Sequence, residues 1–183
     1  MLRTLLRRFS MLLLSLLLLC SAGNNYLQDD GSTDENTLKA LFIYNFTKQI
    51  EWPSASLQGT RFIISIYGSS PVKDKLQLVM KGRRIFDKNV EIKEISRPED
   101  ISGSHILFIP KGSGHKLSIF LEAYADKGVL IITEEKGMTN RGAGINIIEK
   151  DSRLRFELND GALKKQGLKV SNQLYNLAIN IRS

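Results

Sequence analysis

The sequence predicts an α/β protein, built as a single-domain three-layer α-β-α sandwich. Strand-like and helix-like apolar patterns alternate through the middle of the chain, which is typical of a mainly parallel sheet. Two apolar runs near the C-terminus, separated by a short polar stretch, indicate a β-hairpin. About 160 residues remain after an N-terminal targeting segment, a length that suits one domain. We therefore expect about six strands and about five helices.

The first helix is predicted over residues 34–50. Ser32 and Glu35 have the spacing of a capping box, and Pro53 disfavours helix in the residue before it. Apolar residues recur at helical spacing in this segment, and such stripes usually face a core. We interpret its aromatic residues as core rather than ligand-stacking groups: Phe42, Phe46 and Trp52.

The central elements follow from short apolar runs bounded by glycine and proline. We expect strands over Arg61–Tyr67, Asn89–Ile95, His105–Ile109 and Val129–Thr133. Helices are expected over Pro71–Met80 and Leu117–Asp126, with one helical turn at Pro98–Ser102.

The C-terminal hairpin pairs residues 145–148 with residues 154–158. Leu154, Phe156 and Leu158 alternate with a charged set, so one face buries apolar groups and the other faces solvent or a partner. The hairpin is therefore expected at a sheet edge or on a partner-facing surface. Ser171 is expected to cap a final helix whose inward residues are Leu174, Leu177, Ala178 and Ile181.

Residues 1–23 have the pattern of a secretory signal peptide. A basic segment without acids precedes a short leucine-rich run and then small residues, and we expect cleavage after Ala22 or Gly23. The apolar run is shorter than the roughly 20 residues of a spanning helix. Acylation at Cys20 is disfavoured because Leu19 stands where a small residue is preferred. Residues 24–33 are expected to form a flexible leader and residues 34–183 the α/β domain.

Composition excludes several classes of function. Removal of three arginines with the signal peptide leaves 23 basic against 19 acidic residues, a net charge of +4 spread along the chain, which does not indicate nucleic-acid binding. Cys20 is the only cysteine, so the mature domain has no disulfide. The two histidines do not suggest a metal site, because His105 begins the predicted strand His105–Ile109 and His115 lies beyond the far end of that strand. No catalytic motif is present in the sequence. We expect no enzyme activity, no cofactor and no metal.

Two glycine-containing loops are candidate binding sites. Residues 110–116 (PKGSGHK) lie between a strand and a helix, but their spacing does not match a phosphate-binding loop, so we interpret them as a surface loop. Gly137, Gly142 and Gly144 indicate either a tight entry into the hairpin or a mobile recognition loop, and the first is favoured. The acidic pairs Glu134-Glu135 and Glu99-Asp100 are expected on solvated faces.

Six segments, in order, resemble the YfiR family of small exported proteins: ALFIYNFTKQIEWP, HILFIP, GVLIITEEKGM, GAGINII, RLRFELN and GLKVSNQLYNLA. They cover roughly residues 37–182. The resemblance implies a periplasmic, non-enzymatic protein that binds the periplasmic sensor domain of an inner-membrane diguanylate cyclase. By holding the cyclase inactive, such a protein lowers cyclic di-GMP and restrains biofilm formation. Ser104 stands where relatives often have Cys, so disulfide-based redox control is not implied here.

The partner site is expected on the outward face of the hairpin, centred on Glu157, and on the start of the last helix around Gln173. Glu157 is expected either to pair with Arg153 or Arg155 or to meet the partner. Loss of such a surface pair would cost at most about 1 kcal/mol of folding free energy. The Glu157→Ala protein should therefore fold normally yet release its partner. The remaining residues assigned to this site are Ile145 and Leu163.

Alternatives to this interface and to this function stay open. The Tyr44–Trp52 helix end is the second choice of interface. A periplasmic small-ligand-binding module is the alternative function, with a cleft near Gly68–Pro71 and Gly112–Gly114 at the carboxyl edge of the sheet. An envelope hydrolase comes third because it lacks a catalytic constellation. A homodimer could form through the hairpin edge and the last helix.

Overall fold

The computed structural model describes residues 34–183, and the predicted signal peptide, leader and Ser32 lie outside these residues. Within them, no helix combines the length and apolar character that crossing a membrane requires. Residues 34–183 form five α-helices, which bears out the expected number: α1 Glu35–Gln49, α2 Val72–Met80, α3 Leu117–Ala123, α4 Asp160–Lys165 and α5 Asn172–Leu177.

Ten strands accompany these helices in the described part of the chain. They are β1 Ile50–Glu51, β2 Arg61–Tyr67, β3 Arg84–Ile85, β4 Lys88–Ile95, β5 Ile106–Ile109, β6 Leu130–Thr133, β7 Ile145–Lys150, β8 Arg153–Asn159, β9 Lys169–Val170 and β10 Asn180–Arg182. Short 3₁₀ turns lie at Pro98–Ile101, Gly114–Lys116 and Thr139–Arg141.

The main sheet has eight strands in the order β10-β8-β7-β6-β5-β2-β4-β3. Its pairs are parallel except for β7 with β8 and β3 with β4, so the mainly parallel α/β fold is confirmed. The expected six strands are exceeded because β3 and β10, with two and three residues, are too short to show a sequence period. A separate antiparallel ribbon joins β1 to β9.

Helices α1 and α2 cover one side of the sheet. Their buried residues Ile43, Phe46 and Leu76 join a core cluster that also contains Trp52 and the inward residues of the hairpin. The rings of Phe46 and Phe156 meet edge to face, 5.1 Å apart. Phe46 and Trp52 are 1% and 6% exposed, so their assignment to the core is correct, and Phe42 is half-buried against Phe156.

Helix α3 covers the middle of the other side. Leu117 and Phe120 pack there with Leu107 and Ile131 in a second buried cluster. The two clusters lie on opposite faces of the sheet, because neighbouring residues of β6 such as Ile131 and Ile132 point in opposite directions. This arrangement gives the three expected layers.

The start of the first helix, α1, and the end of the last helix, α5, differ from the prediction. The α1 N-cap is Asp34, whose side chain accepts from the Asn36 N–H, so Glu35 is the first helical residue rather than the end of a capping box. Ser171 does cap α5 by accepting from Leu174 N–H. However, α5 ends at Leu177 and Ile181 lies in β10, where parallel pairing with β8 outweighs the helical pattern. Leu177 and Ile181 are therefore exposed rather than inward.

Candidate functional site

The hairpin of β7 and β8 has one covered face and one open face. Its turn is Asp151-Ser152, with left-handed φ values of 52° and 54°. On the α1 side, Ile145, Ile147, Phe156 and Leu158 are buried. On the other side, α3 packs on β5 and β6 but leaves part of the hairpin uncovered. We call this part the hairpin outer face, and it consists of Ile148, Lys150, Arg153, Arg155 and Glu157.

A buried polar network supports one end of the hairpin outer face. Thr133 Oγ1 donates to Asn146 Oδ1 at 2.8 Å, and Asn146 Nδ2 donates to Glu157 Oε2 at 3.1 Å. Thr139 Oγ1 donates to the same carboxylate oxygen at 3.3 Å. Asn146 and Thr133 are both 0% exposed, so these contacts occur where water cannot replace them. Glu157 thus anchors the hairpin to the 3₁₀ turn before it.

This network corrects the expected environment of Glu157. The residue is half-buried, and its carboxylate contacts Asn146 and Thr139 rather than Arg153 or Arg155. No ion pair among residues 34–183 includes Glu157. The alternation of β8 correctly predicts that Glu157 lies on the face opposite Phe156. It cannot predict the burial of the carboxylate by Thr139, because Thr139 belongs to a turn outside the strand.

Arg153 and Arg155 both lie exposed on the hairpin outer face. Neither takes part in an ion pair or a side-chain hydrogen bond within the part of the chain that the structure describes. Their guanidinium groups are therefore available to an anionic partner surface.

The other three assigned residues do not join this surface. Ile145 and Leu163 are 0% and 1% exposed, so both side chains belong to the core and the expectation of direct partner contact by them is wrong. Gln173 is exposed on α5, which packs on the α1 side of the sheet through Leu174. Gln49 Nε2 donates to Gln173 Oε1 at 3.2 Å. Gln173 and Glu157 thus lie on opposite sides of the sheet rather than next to each other.

The loop over residues 110–114 binds carboxylates of the chain itself. Glu134 Oε1 accepts from Lys111 N–H at 2.9 Å, while Glu135 Oε2 accepts from Gly112 N–H at 3.2 Å and Gly114 N–H at 3.3 Å. A Cβ at Gly114 would lie 2.7 Å from Glu135 Oε2, so the glycine is needed for this approach. The prediction of a solvated face for Glu134 and Glu135 is therefore wrong.

Lys39 completes this arrangement from α1. Its Nζ lies 2.5 Å from Glu134 Oε2 and 2.7 Å from Glu35 Oε1. Burial opposes the charge of Lys39, but Glu134 and then Glu35 outweigh it and raise the pKa of Lys39 above its ordinary value. The carboxyl-edge cleft expected for a small ligand is thus partly occupied by the protein's own charged groups.

The glycines before the hairpin form a defined turn. Gly142, with φ of 106°, ends the 3₁₀ turn at Thr139–Arg141, where Met138 and Thr139 are buried. A Cβ on Gly142 would lie 2.8 Å from Leu121 Cδ1. This geometry supports the tight entry into the hairpin over the recognition loop.

A cavity of about 760 Å³ lies elsewhere, between the end of α3, the start of β7 and helix α4. Val129, Ile131 and Leu163 form its apolar part, and Arg141 and Lys165 lie at its lining. The described residues contain no group of three or more metal-binding side chains placed to hold an ion.

Comparison with known proteins gives a family and several solved structures of similar fold, two of which are given below. The model of the YfiR/HmsC-like family, DUF4154, matches residues 36–179. The ABC domain from Streptococcus pneumonia, solved in complex with L-Trp, is similar with a TM-score of 0.53 and 11% identity, covering 80% of this chain. A conserved domain protein from Vibrio cholerae has a TM-score of 0.50 and 8% identity over 81% of this chain. This chain spans 60% of the length of each of those solved chains, and at such identities the similarity shows only the α/β fold. No curated protein matches the sequence.

Proposed function

Because the chain belongs to the YfiR/HmsC-like family, we propose that it is an exported, non-enzymatic regulator of an inner-membrane signalling protein. Its partner is the periplasmic sensor domain of that protein, a diguanylate cyclase. Binding represses the cyclase and lowers cyclic di-GMP. The family match supports this proposal, together with the export pattern of residues 1–23 and cleavage near Ala22 or Gly23.

The hairpin outer face is the proposed contact surface. The observation that carries this choice is the pair of exposed arginines, Arg153 and Arg155, on an uncovered face of the sheet. Neither has a carboxylate partner among residues 34–183. Glu157 holds that face in place from its half-buried position. An acidic patch on the sensor domain would pair with the arginines, and bidentate arginine–carboxylate pairs give geometric specificity as well as energy.

The test is the Arg153→Glu/Arg155→Glu protein, expressed in cells that lack the native chain. Wild-type protein should lower cellular cyclic di-GMP, and the double variant should not. The Lys127→Glu/Lys136→Glu protein is the matched control, because it makes the same charge change at exposed lysines of other loops. Full repression by the folded double variant would move the interface elsewhere. No change of cyclic di-GMP with wild-type protein would reject the proposed function itself.

The second candidate function is a periplasmic small-ligand-binding module. The cavity of about 760 Å³ favours it, because its volume lies within the range of ligand pockets and its lining combines apolar and basic residues. Native mass spectrometry of the purified mature protein tests it. A retained small molecule would support this function, and a ligand-free mass would count against it.

We also propose a homodimer. Leu177, Ile179 and Ile181 are 59%, 37% and 46% exposed and lie on or beside the edge strand β10. A second copy pairing along this edge would cover all three side chains.

A further inference from the structure

A cluster of positive charge lies at the sheet edge opposite the hairpin. Helix α1 ends there, the α2–β4 connection crosses it, and the β1–β9 ribbon lies beside it. We call this cluster the basic pole, and it consists of Lys48, Lys81, Arg83, Arg84, Lys88 and Lys169.

The charge of the basic pole is not balanced locally. Only Glu51 and Asp87 lie within the same segments, so six basic groups face two carboxylates, an excess of four positive charges. None of the six takes part in an ion pair within residues 34–183, whereas Lys39, Arg61 and other basic residues of the domain do. Unpaired like charges repel one another, so an anionic partner would relieve that repulsion.

Three of the six residues of the basic pole, Lys48, Arg84 and Lys169, line a hollow of about 640 Å³. Tyr44 also lines the hollow, with Lys48 Nζ 4.1 Å and Arg83 Cζ 4.5 Å from the centroid of its ring. Arg83, and then Lys48, lower the pKa of the Tyr44 hydroxyl below its ordinary 10.0, which reports the positive field at this point. Arg84 and Lys169 line the rim of the hollow.

Phe86 adds an aromatic wall to the hollow. It occupies the turn of the β3–β4 hairpin with φ of 48°, a left-handed conformation that strains a bulky side chain. Its ring packs 5.8 Å from Trp52 and remains 41% exposed. Backbone strain of this kind persists where the surrounding structure requires it, and here it holds an exposed ring at the edge of a positive hollow.

We propose that the basic pole is a docking surface for an extended, acidic segment of a protein partner. Charge complementarity supplies the attraction, and the hollow supplies a concave seat for a chain. The β1–β9 ribbon, which is two-stranded within residues 34–183, borders the same hollow through Glu51 and Lys169, so an extended chain in the hollow would lie next to β-strands. A flat membrane surface fits less well, because the basic residues line a concave hollow and the Phe86 ring, although 41% exposed, packs against Trp52.

This surface is separate from the hairpin outer face, since β3 and β10 are the opposite ends of the eight-stranded sheet. The inference goes beyond the proposed function and does not depend on the partner being a cyclase.

Fluorescence anisotropy of a labelled hexaglutamate peptide, added to the mature protein, tests the proposal. Wild-type protein should bind the peptide, and salt at about 0.5 M should weaken binding strongly because exposed charges are then screened. The Lys48→Gln/Arg83→Gln/Lys169→Gln protein should bind at least about tenfold more weakly. The control Lys111→Gln/Lys127→Gln/Lys136→Gln removes the same charge from exposed lysines elsewhere and should change binding less than about twofold.

Several results would overturn the proposal. They are no binding of hexaglutamate by wild-type protein, equal weakening in the two triple variants, or pole-dependent binding of phosphatidylglycerol vesicles without peptide binding. Circular dichroism checks that each variant is folded. If the first triple variant does not fold, Lys81→Gln/Lys169→Gln replaces it, because neither lysine makes a side-chain hydrogen bond within the described part of the chain.

Discussion

Glu157 shows how a single side chain can hold a surface in place. Its carboxylate accepts hydrogen bonds from Asn146, which is fully buried, and from Thr139, which is 3% exposed. A buried donor that loses its acceptor keeps the full cost of leaving water. Glu157 therefore stabilises the position of the hairpin, and its substitution would affect partner binding by shifting the hairpin.

We predict that Glu157→Ala lowers the free energy of unfolding by about 1–3 kcal/mol, because two donors lose their acceptor. Glu157→Gln should cost less, since its amide oxygen can still accept. Urea unfolding of the two proteins measures the difference, with Arg155→Ala as the exposed control on the same strand. A free energy of unfolding of Glu157→Ala equal to that of wild type would restore the surface role first expected for this residue.

Tyr175 and Asp160 form a second linked pair. Burial, and then Asp160, raise the pKa of Tyr175 to about 12, while Lys164, and then Tyr175, lower the pKa of Asp160 below 3.8. The Tyr175 hydroxyl donates to Asp160 Oδ1. The raised tyrosine pKa contributes stability below pH 10, which is lost as pH rises towards 12. The lowered aspartate pKa contributes stability above pH 3.8, which is lost as pH falls through the folded value.

Tyr175→Phe should therefore cost about 0.5–1.5 kcal/mol at neutral pH, and this difference from wild type should shrink as pH falls through the lowered folded pKa of Asp160. Chemical unfolding across a pH series measures it. Tyr67→Phe is the control, since the Tyr67 hydroxyl makes no hydrogen bond within residues 34–183. A difference that stays constant down to pH 2 would show that the hydroxyl does not depend on the Asp160 charge.

At the scale of the element, the hairpin depends on its two-residue turn. Asp151 and Ser152 both adopt left-handed φ values, as in a type I′ turn, in which glycine is favoured at the second position. The register pairs Lys150 with Arg153 directly across the turn. The turn that sets this register therefore holds Ser152 in a left-handed conformation, which lowers the free energy of unfolding.

Ser152→Gly should relieve that cost and raise the free energy of unfolding by about 0.5–1 kcal/mol. For a domain of this size, such a gain corresponds to a melting temperature about 1–4 °C higher. Differential scanning calorimetry measures the shift, and Ser113→Gly, at a residue with φ of −102°, is the matched control that should not stabilise. A lower melting temperature for Ser152→Gly would mean that the hairpin uses another turn.

At the scale of the whole molecule, charge and apolar exposure occupy different parts of the surface. The hairpin outer face and the basic pole lie towards opposite edges of the sheet, and the C-terminal apolar residues follow β10. Two binding events on separate surfaces are therefore compatible with each other. Self-association through β10 would add a third contact.

If β10 forms the dimer edge, Leu177→Asp/Ile181→Asp should make the mature protein monomeric, because two desolvated carboxylates would oppose association. Multi-angle light scattering over a concentration series measures the mass. Leu78→Asp/Ile119→Asp is the control, since these residues are 69% and 44% exposed and lie outside the edge strand. A wild-type protein that remains monomeric throughout would reject the dimer.

Local sequence patterns determined the order of the main elements. The strands β2, β4, β5 and β6, the helices α1 and α2 and the hairpin all agree with periodicity and turn signals, because each depends on neighbours within a few residues. The family could also be recognised, since the six quoted segments keep their order along the chain.

Only the tertiary structure decided which distant groups meet. Glu134 and Glu135 reach the loop at residues 110–114, and Thr139 covers Glu157, through contacts between segments that share no local pattern. The basic pole likewise combines charges from residues 48, 81–88 and 169. In the sequence these charges are spread along the chain, and only the fold brings them together. Short strands such as β10 exist only because a neighbouring strand satisfies their backbone, so no period in their own residues could predict them.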